Sequence, residues 1–171
     1  MKKTLPLLFA GISLSLCAVF FAGCGKTEVR PCTEPVNFHV VTENPREPDC
    51  TEYAEPDPGI SARKHLVRNT PELSLYRVKE AVAYRSEFGY NCLRITMFPD
   101  DAKKFSDLTA KHAGRQIAII IGGKLFCAPF VHERIKSDNF EISGAFSEAE
   151  AKALAEKLAP GGRKKFLPWM R

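Results

Sequence analysis

The sequence lacks the residue spacings that most metal centres and catalytic sites require. Its six cysteines form no C-x-x-C pair and its four histidines form no H-x-x-x-H pair, so no metal site is expected. No Ser-His-Asp arrangement and no pair of acids at catalytic spacing stands out. We therefore predict a protein that is not an enzyme and that has no cofactor.

Three weaker catalytic candidates have simpler explanations. Asp100 and Asp101 open a predicted helix, where acidic side chains complement the helix dipole. Cys127 lies inside a predicted strand, as a buried or disulfide-bonded thiol would. His132 follows that strand next to Glu133 and is explained as a surface histidine. Catalysis through His132 is the remote alternative.

The sequence also has little excess of either charge. It carries 25 basic and 20 acidic residues, which gives a formal net charge of +5. That excess is too small to indicate a nucleic-acid partner. After residue 23 no apolar run is long enough to cross a membrane.

The first 23 residues have the pattern of an export signal. Two lysines precede an uncharged apolar run over residues 5–22. Ala22 and Gly23 before Cys24 resemble the lipobox of bacterial lipoproteins, which implies cleavage before Cys24 and a diacylglycerol on its thiol. A marginal membrane span and a non-lipoprotein signal are the alternatives. Gly25 stands where some inner-membrane lipoproteins have aspartate, which favours the outer membrane if there is one.

Four cysteines remain after Cys24, namely Cys32, Cys50, Cys92 and Cys127. An exported protein enters an oxidising compartment, where an even number of cysteines can pair. Proximity in the sequence favours Cys32 with Cys50 and Cys92 with Cys127, although four cysteines allow three pairings.

After the signal the sequence divides into a tether, a domain and a basic segment. Residues 24–35 form the polar tether, residues 36–162 the domain, and residues 163–171 the basic segment RKKFLPWMR. Four prolines among acidic residues predict an irregular loop over residues 42–63. For the basic segment we favour a solvated stretch of chain, and contact with anionic lipid headgroups is the alternative.

Apolar periodicity predicts several strands and two helices in the domain. The strand segments are VNFHVV (36–41), VKEAVAYRS (78–86), YNCLRITMF (90–98), RQIAIII (115–121), LFCAPFV (125–131) and FEISGAF (140–146). One helix opens at Pro99 and closes at Gly114, and the other starts with a capping box of Ser147 and Glu150. We predict an α+β fold with one mostly antiparallel sheet of about five strands and two helices packed on one face.

The stretch IAIIIGGKLFCAPF (117–130) decides between a nucleotide-binding loop and a hairpin. A phosphate-binding loop needs Ser or Thr after its lysine and then a helix, but Leu125 follows Lys124 and Pro129 would break a helix there. Gly122 and Gly123 between two β-type runs are typical of a tight turn with positive φ. We therefore predict a hairpin.

Several of these segments, in this order, resemble the head subdomain of the first periplasmic domain of SecD and SecDF, a membrane protein of the export machinery. The resemblance covers about residues 36–160. The matching positions are Gly114 and Arg115, residues 117–121, Gly123 and Lys124, Ala128 and Pro129, Ile142, Ser143, Gly144 and Phe146, and residues 148–158. It implies a binding module that engages exported chains, without the membrane helices, base subdomain and energy coupling of SecD.

Together these observations give one main hypothesis and one alternative. The main hypothesis is a lipoprotein of the cell envelope, held at a bilayer by Cys24 on the periplasmic or exterior side. Its head-like module would bind a protein or peptide, such as an unfolded exported chain, at a strand edge or an apolar cleft. The alternative is a structural or inhibitory lipoprotein that acts through the 42–63 loop.

Overall fold

A computed structural model describes residues 30–55, 63–144 and 146–160. In this part of the chain the strands are β1 (Val36–Thr42), β2 (Cys50–Glu55), β3 (Arg63–Arg68), β4 (Leu73–Leu75), β5 (Glu80–Arg85), β6 (Asn91–Thr96), β7 (Arg115–Ile121), β8 (Lys124–Cys127), β9 (Phe130–Val131) and β10 (Asn139–Ser143). The helices are α1 (Pro99–Lys111) and α2 (Glu148–Leu158). Cys24 and the basic segment 163–171 lie outside the described residues.

The strands form two antiparallel sheets. In the larger sheet the order is β2-β3-β1-β7-β8, with β4 paired to the first half of β1 and β9 paired to the start of β7. The smaller sheet has the order β10-β6-β5. The predicted α+β class with mostly antiparallel strands is confirmed, although the described residues contain more strands than the five or so that we expected.

Strand β7 is buried on both faces, which explains its unbroken apolar sequence. Ile117, Ile119 and Ile121 point into the main core, while Ala118 and Ile120 point into a second, smaller cluster. Successive side chains of a strand point to opposite faces, so one strand can serve two cores. The β2–β3 hairpin, with β8, covers the second cluster.

Three phenylalanine rings connect the two sheets and α1. Phe38 of β1 lies 5.3 Å from Phe105 of α1 and 5.3 Å from Phe140 of β10, between ring centroids. Phe105 and Phe140 stack at 5.5 Å. Each such pair adds about 1 kcal/mol to the stabilisation that comes from burial of the rings. Helix α2 packs beside them on β5 and β6 and contributes Leu154 and Leu158 to the same core.

The helix ends agree with the sequence prediction. Pro99 is the first residue of α1, and Gly114 follows the helix with φ of +82°, a conformation that favours glycine. At the start of α2 the Ser147 hydroxyl accepts the Glu150 N–H at 3.2 Å, and the Glu150 carboxylate accepts the Ser147 N–H at 2.8 Å. The predicted capping box is therefore confirmed.

The predicted hairpin after β7 is also confirmed. Ile121 of β7 pairs with Lys124 of β8, which leaves Gly122 and Gly123 as a two-residue turn. Their φ angles are +58° and +77°, and a turn with two positive φ angles matches the right-handed twist of the strands. Lys124 begins a strand, as expected for a hairpin residue, and not the helix that a phosphate-binding loop requires.

The prediction of an irregular loop over residues 42–63 was wrong for its second part. Residues 50–55 form β2, which pairs with β3 at six positions. Most residues of β2 are polar and half are exposed, so the segment lacks the apolar alternation that would predict a strand. Pairing with β3, a tertiary interaction, determines its conformation. Strands β3 and β4 were not predicted either.

We expect Phe38→Ala to lower the free energy of unfolding by about 3–5 kcal/mol, because it leaves a cavity where both sheets and α1 meet. Phe88→Ala is the matched control, since 78% of the Phe88 side chain is exposed, and it should change stability by less than about 0.5 kcal/mol. Urea denaturation followed by circular dichroism measures both. Equal effects of the two substitutions would contradict the structural role of Phe38.

Candidate binding cleft

A cleft opens where β1 and β7 separate. The two strands are paired from Val36 with Ile121 as far as Val40 with Ile117. The next residue of β1, Val41, pairs with Val67 of β3, which lies on the edge of β1 opposite β7. The pairing of β1 with β7 therefore ends at Val40, while β1 continues for two residues beside β3.

The start of β7 is held on its other side. Arg115 pairs with Val131 of β9 and Gln116 pairs with Phe130. Within the described residues no pairing with β1 is found at these two positions. The two strands thus diverge and enclose a wedge-shaped space, which we call the wedge cleft, of about 520 Å³. It is lined by residues 40–44, Glu47, Arg68, residues 114–116 and Phe130.

An ion pair forms the charged wall of the wedge cleft. Arg68 Nε lies 2.5 Å from Glu47 Oε1, as an ion pair without well-aligned hydrogen-bond geometry, and the Thr42 hydroxyl donates to Glu47 Oε2 at 2.5 Å. The Thr42 hydrogen bond, followed by Arg68 and Arg115, lowers the pKa of Glu47 against the opposing effect of desolvation. Glu47 is therefore ionised at neutral pH and holds the turn after β1 against β3.

Phe130 forms the apolar rim. Half of its side chain is exposed, and its ring lies 4.9 Å from the ring of His132, between centroids. The wedge cleft thus combines an aromatic rim, the apolar Val40 and Val41, and charged groups of both signs. An extended polypeptide presents both backbone polar groups and side chains, and these are the groups that such a surface can contact.

A buried hydrogen-bonded cluster fixes the β2–β3 hairpin on the sheet. His65, which is 4% exposed, donates from Nε2 to Glu55 Oε2 at 2.9 Å. The other carboxylate oxygen, Oε1, accepts the backbone N–H of Ala128 at 3.2 Å. We call these residues the Glu55 clasp. The prediction from sequence missed it, because His65 and Glu55 belong to strands that were not predicted.

The catalytic candidates do not come together in the described residues. His132 contacts Phe130, and Asp101 is buried beside Lys104, at 3.0 Å, and Arg77, at 3.7 Å. Burial, followed by the charge of Glu55, raises the pKa of Cys127 to about 12, so its thiol is protonated at neutral pH and a poor nucleophile. A search of the described residues for three or more metal-ligating side chains finds no such group.

All four cysteines of the described domain are free thiols. The predicted pair of Cys32 with Cys50 is not formed in this structure. Cys50 lies opposite Arg68 at the Val40 end of β1, and Cys32 bonds to Tyr76, beyond the Val36 end. Four residues of strand separate the two ends, about 13 Å, whereas Cα atoms joined by a disulfide lie within about 7 Å.

The predicted pair of Cys92 with Cys127 is not formed either. Cys92 alternates with Leu93 along β6 and points away from the main core, whereas Cys127 packs against that core. Successive side chains of a strand point to opposite faces of the sheet, so the Cys92 thiol lies on the face of the small sheet away from the core. The two thiols therefore do not meet. Cys32 instead donates its S–H to the Leu158 carbonyl at 3.0 Å.

Comparison with known proteins identifies a family. The model of the family described as "SecDF, P1 head subdomain" matches residues 51–162. The protein translocase subunit SecD of Acidaminococcus fermentans is 40% identical over 84 residues, which is 49% of this chain and 20% of that protein. SecDF of Thermus thermophilus is 31% identical over 91 residues, 53% of this chain and 12% of that protein. The chain thus spans about a fifth or less of these relatives.

Solved structures share the fold. A structure described as "Structure and function of a membrane component SecDF that enhances protein export" superposes with a TM-score of 0.57 at 21% identity, over 74% of this chain and 62% of that chain. SecDF in a super-membrane-facing form gives a TM-score of 0.56 at 24% identity, over 74% of this chain and 19% of that one. These structures show the fold that this chain shares with them, and they do not support the outer membrane that the sequence favoured. No helix among the described residues has the length and apolar character needed to cross a bilayer.

We expect Cys50 to react with iodoacetamide before Cys127 in the native protein, because the pKa of both thiols is raised but that of Cys127 is raised further, to about 12. Mass spectrometry of the native and the unfolded protein, without reductant, measures the labelling of each thiol. Labelling of all four cysteines only after reduction would show disulfides and contradict the free-thiol structure.

We expect Glu47→Gln to lower stability at neutral pH and to have no such effect well below pH 4.5, the ordinary pKa of a glutamate. The folded state holds the pKa of Glu47 below that value, so the stabilisation is present above it and is lost as pH falls through the folded pKa. Urea midpoints across the acidic range measure this. Glu43→Gln, at the same cleft, is the control, and a similar pH profile for both variants would contradict the role of the ion pair.

Proposed function

The chain belongs to the SecDF P1 head subdomain family, and from that premise we propose that it is a membrane-anchored, non-catalytic module of protein export. In this proposal the wedge cleft binds an extended segment of another protein, such as an unfolded exported chain. The relatives are protein translocase subunits, and this chain matches only their head-like part.

The observation that carries the proposal is the separation of β1 from β7 after Val40. An exposed position between two diverging strands can accept an extended segment, which bonds through its main chain and places alternate side chains in the cleft. Phe130 supplies a stacking surface that tolerates many sequences. Glu47 and Arg115 add one charge of each sign. Such a surface suits partners that share an unfolded state but no common sequence.

The membrane anchor is the second part of the proposal. An uncharged apolar run over residues 5–22 followed by Cys24 supports a lipidated cysteine at the start of the exported protein. A lipid on Cys24 would attach the domain to the bilayer without a spanning helix. The head-like module would then face the compartment into which proteins are exported.

The alternative function, a structural or inhibitory role of the 42–63 loop, would use the same surface. Residues 42–44 and Glu47, from the first part of the predicted loop, line the wedge cleft. An inhibitory role for this segment would therefore act at the same place as peptide binding. A preference for unfolded over folded chains would indicate peptide binding. A preference for a folded partner would indicate inhibition.

We expect Phe130→Ala to weaken binding of an unfolded polypeptide roughly tenfold, because it removes the aromatic contact at the rim. Fluorescence anisotropy of a labelled, reduced and carboxymethylated polypeptide measures the affinity. Phe88→Ala is the control, since Phe88 is exposed in the β5–β6 turn, and it should leave affinity unchanged. Binding to the folded form of the same polypeptide with equal affinity, or an equal loss in both variants, would refute the proposal.

A further inference from the structure

One edge of the small sheet lies open. The strand order is β10-β6-β5, and no strand in the described part of the chain pairs with the outer side of β5. At the edges of the large sheet, β2 and β8 contact each other, and the Glu55 clasp joins them. Strand β10 also contacts β8. Strand β5 is therefore the edge strand of the described domain that has room for another strand on its outer side.

The main chain of β5 presents unpaired groups on that side. The Ser86 N–H donates to the Tyr90 carbonyl at 2.8 Å, and this pair continues the register of β5 with β6. Hydrogen-bonded pairs occur at every second residue of an antiparallel ladder. The N–H and carbonyl groups of Ala81, Ala83 and Arg85 therefore point away from β6, and no main-chain bond from another described residue reaches them. An added strand could bond to all three residues.

The side chains of β5 do little to prevent such pairing. Proteins commonly protect an edge strand with proline, a bulge or a charge in its middle. The sequence of β5 is EAVAYR, with its charges at the two ends and neither proline nor lysine between them. Its middle, residues 81–84, is only half-buried. An accessible and mostly apolar edge of this kind favours pairing with another chain.

Two charged side chains beside β5 have no partner among the described residues. Lys79 precedes the strand and Glu87 follows it in the β5–β6 turn, and both are exposed. No ion pair or hydrogen bond of either side chain with another described residue is found. The six residues of β5 lie between them and span about 20 Å, so the two charges cannot meet within one copy of the chain.

We propose that two copies of this chain pair through their β5 edges as a symmetric antiparallel dimer, with Ala83 of each copy at the centre. A twofold axis makes the two halves of such an interface identical, so each contact occurs twice. In this register Val82 lies opposite Tyr84 of the second copy, and pairs of a β-branched and an aromatic residue stabilise antiparallel strands. Lys79 lies opposite Glu87 of the second copy, which brings the two unpaired charges together.

Charge complementarity selects this register over its neighbours. The outward-pointing residues of one copy have to face those of the other. With Val82 at the centre, Lys79 would lie opposite Arg85 of the second copy, and like charges directly opposite each other destabilise a ladder. With Tyr84 at the centre, Lys79 would lie opposite Gly89 of the second copy and would have no partner. Of the three registers, the proposed one pairs both charges.

The dimer would present two binding surfaces. The wedge cleft is lined by residues of other elements, and none of residues 79–87 belongs to it. Pairing of the β5 edges therefore uses a surface separate from the cleft. Two clefts on one particle would bind a long unfolded chain more tightly than one cleft does. The dimer does not rest on the proposed function, since its contacts involve different residues and its tests measure assembly.

Mixed disulfides test the register. The single variants Val82→Cys and Tyr84→Cys are made in the full chain with Cys92→Ala, because Cys92 lies opposite Tyr84 on β6. Opposite residues of a non-hydrogen-bonded pair lie about 4.5 Å apart between Cα atoms, whereas two copies of the same position would lie about 8 Å apart. A disulfide needs less than about 7 Å. We therefore expect a covalent dimer when the two variants are mixed and oxidised, but from neither variant alone.

Electrophoresis without reductant measures the covalent dimer, and the chain with Cys92→Ala alone gives the background from the native thiols. A mixture that forms no more dimer than this background would overturn the proposal. A dimer formed by either variant alone would overturn it as well, because Val82 or Tyr84 would then lie at the centre.

Charge reversal tests the contact between Lys79 and Glu87. Sedimentation equilibrium of the full chain in mild detergent measures the dissociation constant of the dimer. We expect Lys79→Glu and Glu87→Lys each to weaken the dimer about tenfold, because each change places like charges opposite each other twice. The double variant should restore the dimer. Lys103→Glu, at an exposed lysine of α1, makes the same change of charge and should leave the constant unchanged.

A double variant as weak as the single ones, or equal weakening by Lys103→Glu, would overturn the proposal. So would a chain that stays monomeric. If Lys79→Glu then weakens binding of the reduced and carboxymethylated polypeptide, the β5 edge accepts a segment of another protein instead of a second copy.

Discussion

The domain depends on the burial of β1 between two partners that it cannot keep along its whole length. Val36, Phe38 and Val40 are at most 1% exposed, and the Phe38 ring joins α1 and the small sheet to the large one. This packing fixes the first five residues of β1 against β7. Beyond Val40 the second apolar cluster requires β1 to follow β3, because Val41 packs there with Val67 and Tyr53. Strand β1 therefore keeps β7 as a neighbour up to Val40 and continues beyond it beside β3, on its other edge.

The wedge cleft is the consequence of that divergence. Beyond the last pair with β1, Arg115 and Gln116 of β7 are paired with β9 on their other edge and not with β1. The Glu47–Arg68 ion pair in the cleft wall and the Glu55 clasp hold β2 and β3 in place beside the diverging part of β1. The wedge cleft is thus a consequence of how the second apolar cluster is covered. The proposed binding of an extended chain would use the space that this divergence leaves.

Local signals in the sequence predicted the elements whose conformation is decided locally. Three features have a conformation that their own residues determine, and the structure contains all of them. They are the isoleucine run of β7, the two-glycine turn and the Ser147–Glu150 capping box. Strand β2 was missed because a polar segment such as Cys50–Glu55 becomes a strand only through its neighbour. The cleft was unpredictable for a related reason. Val40 and Val41 are identical residues, and nothing in the sequence marks the point between them where the pairing changes.

The two ends of β1 give the domain a polarity. The chain spans about a fifth or less of its relatives and matches their head-like part. Before the start of β1, the Thr33 hydroxyl donates to the Lys157 carbonyl at the end of α2, and at the other end of β1 Thr42 lines the wedge cleft. Because the seven residues of β1 span about 20 Å, the cleft opens at the end of the domain opposite the contact between Thr33 and α2.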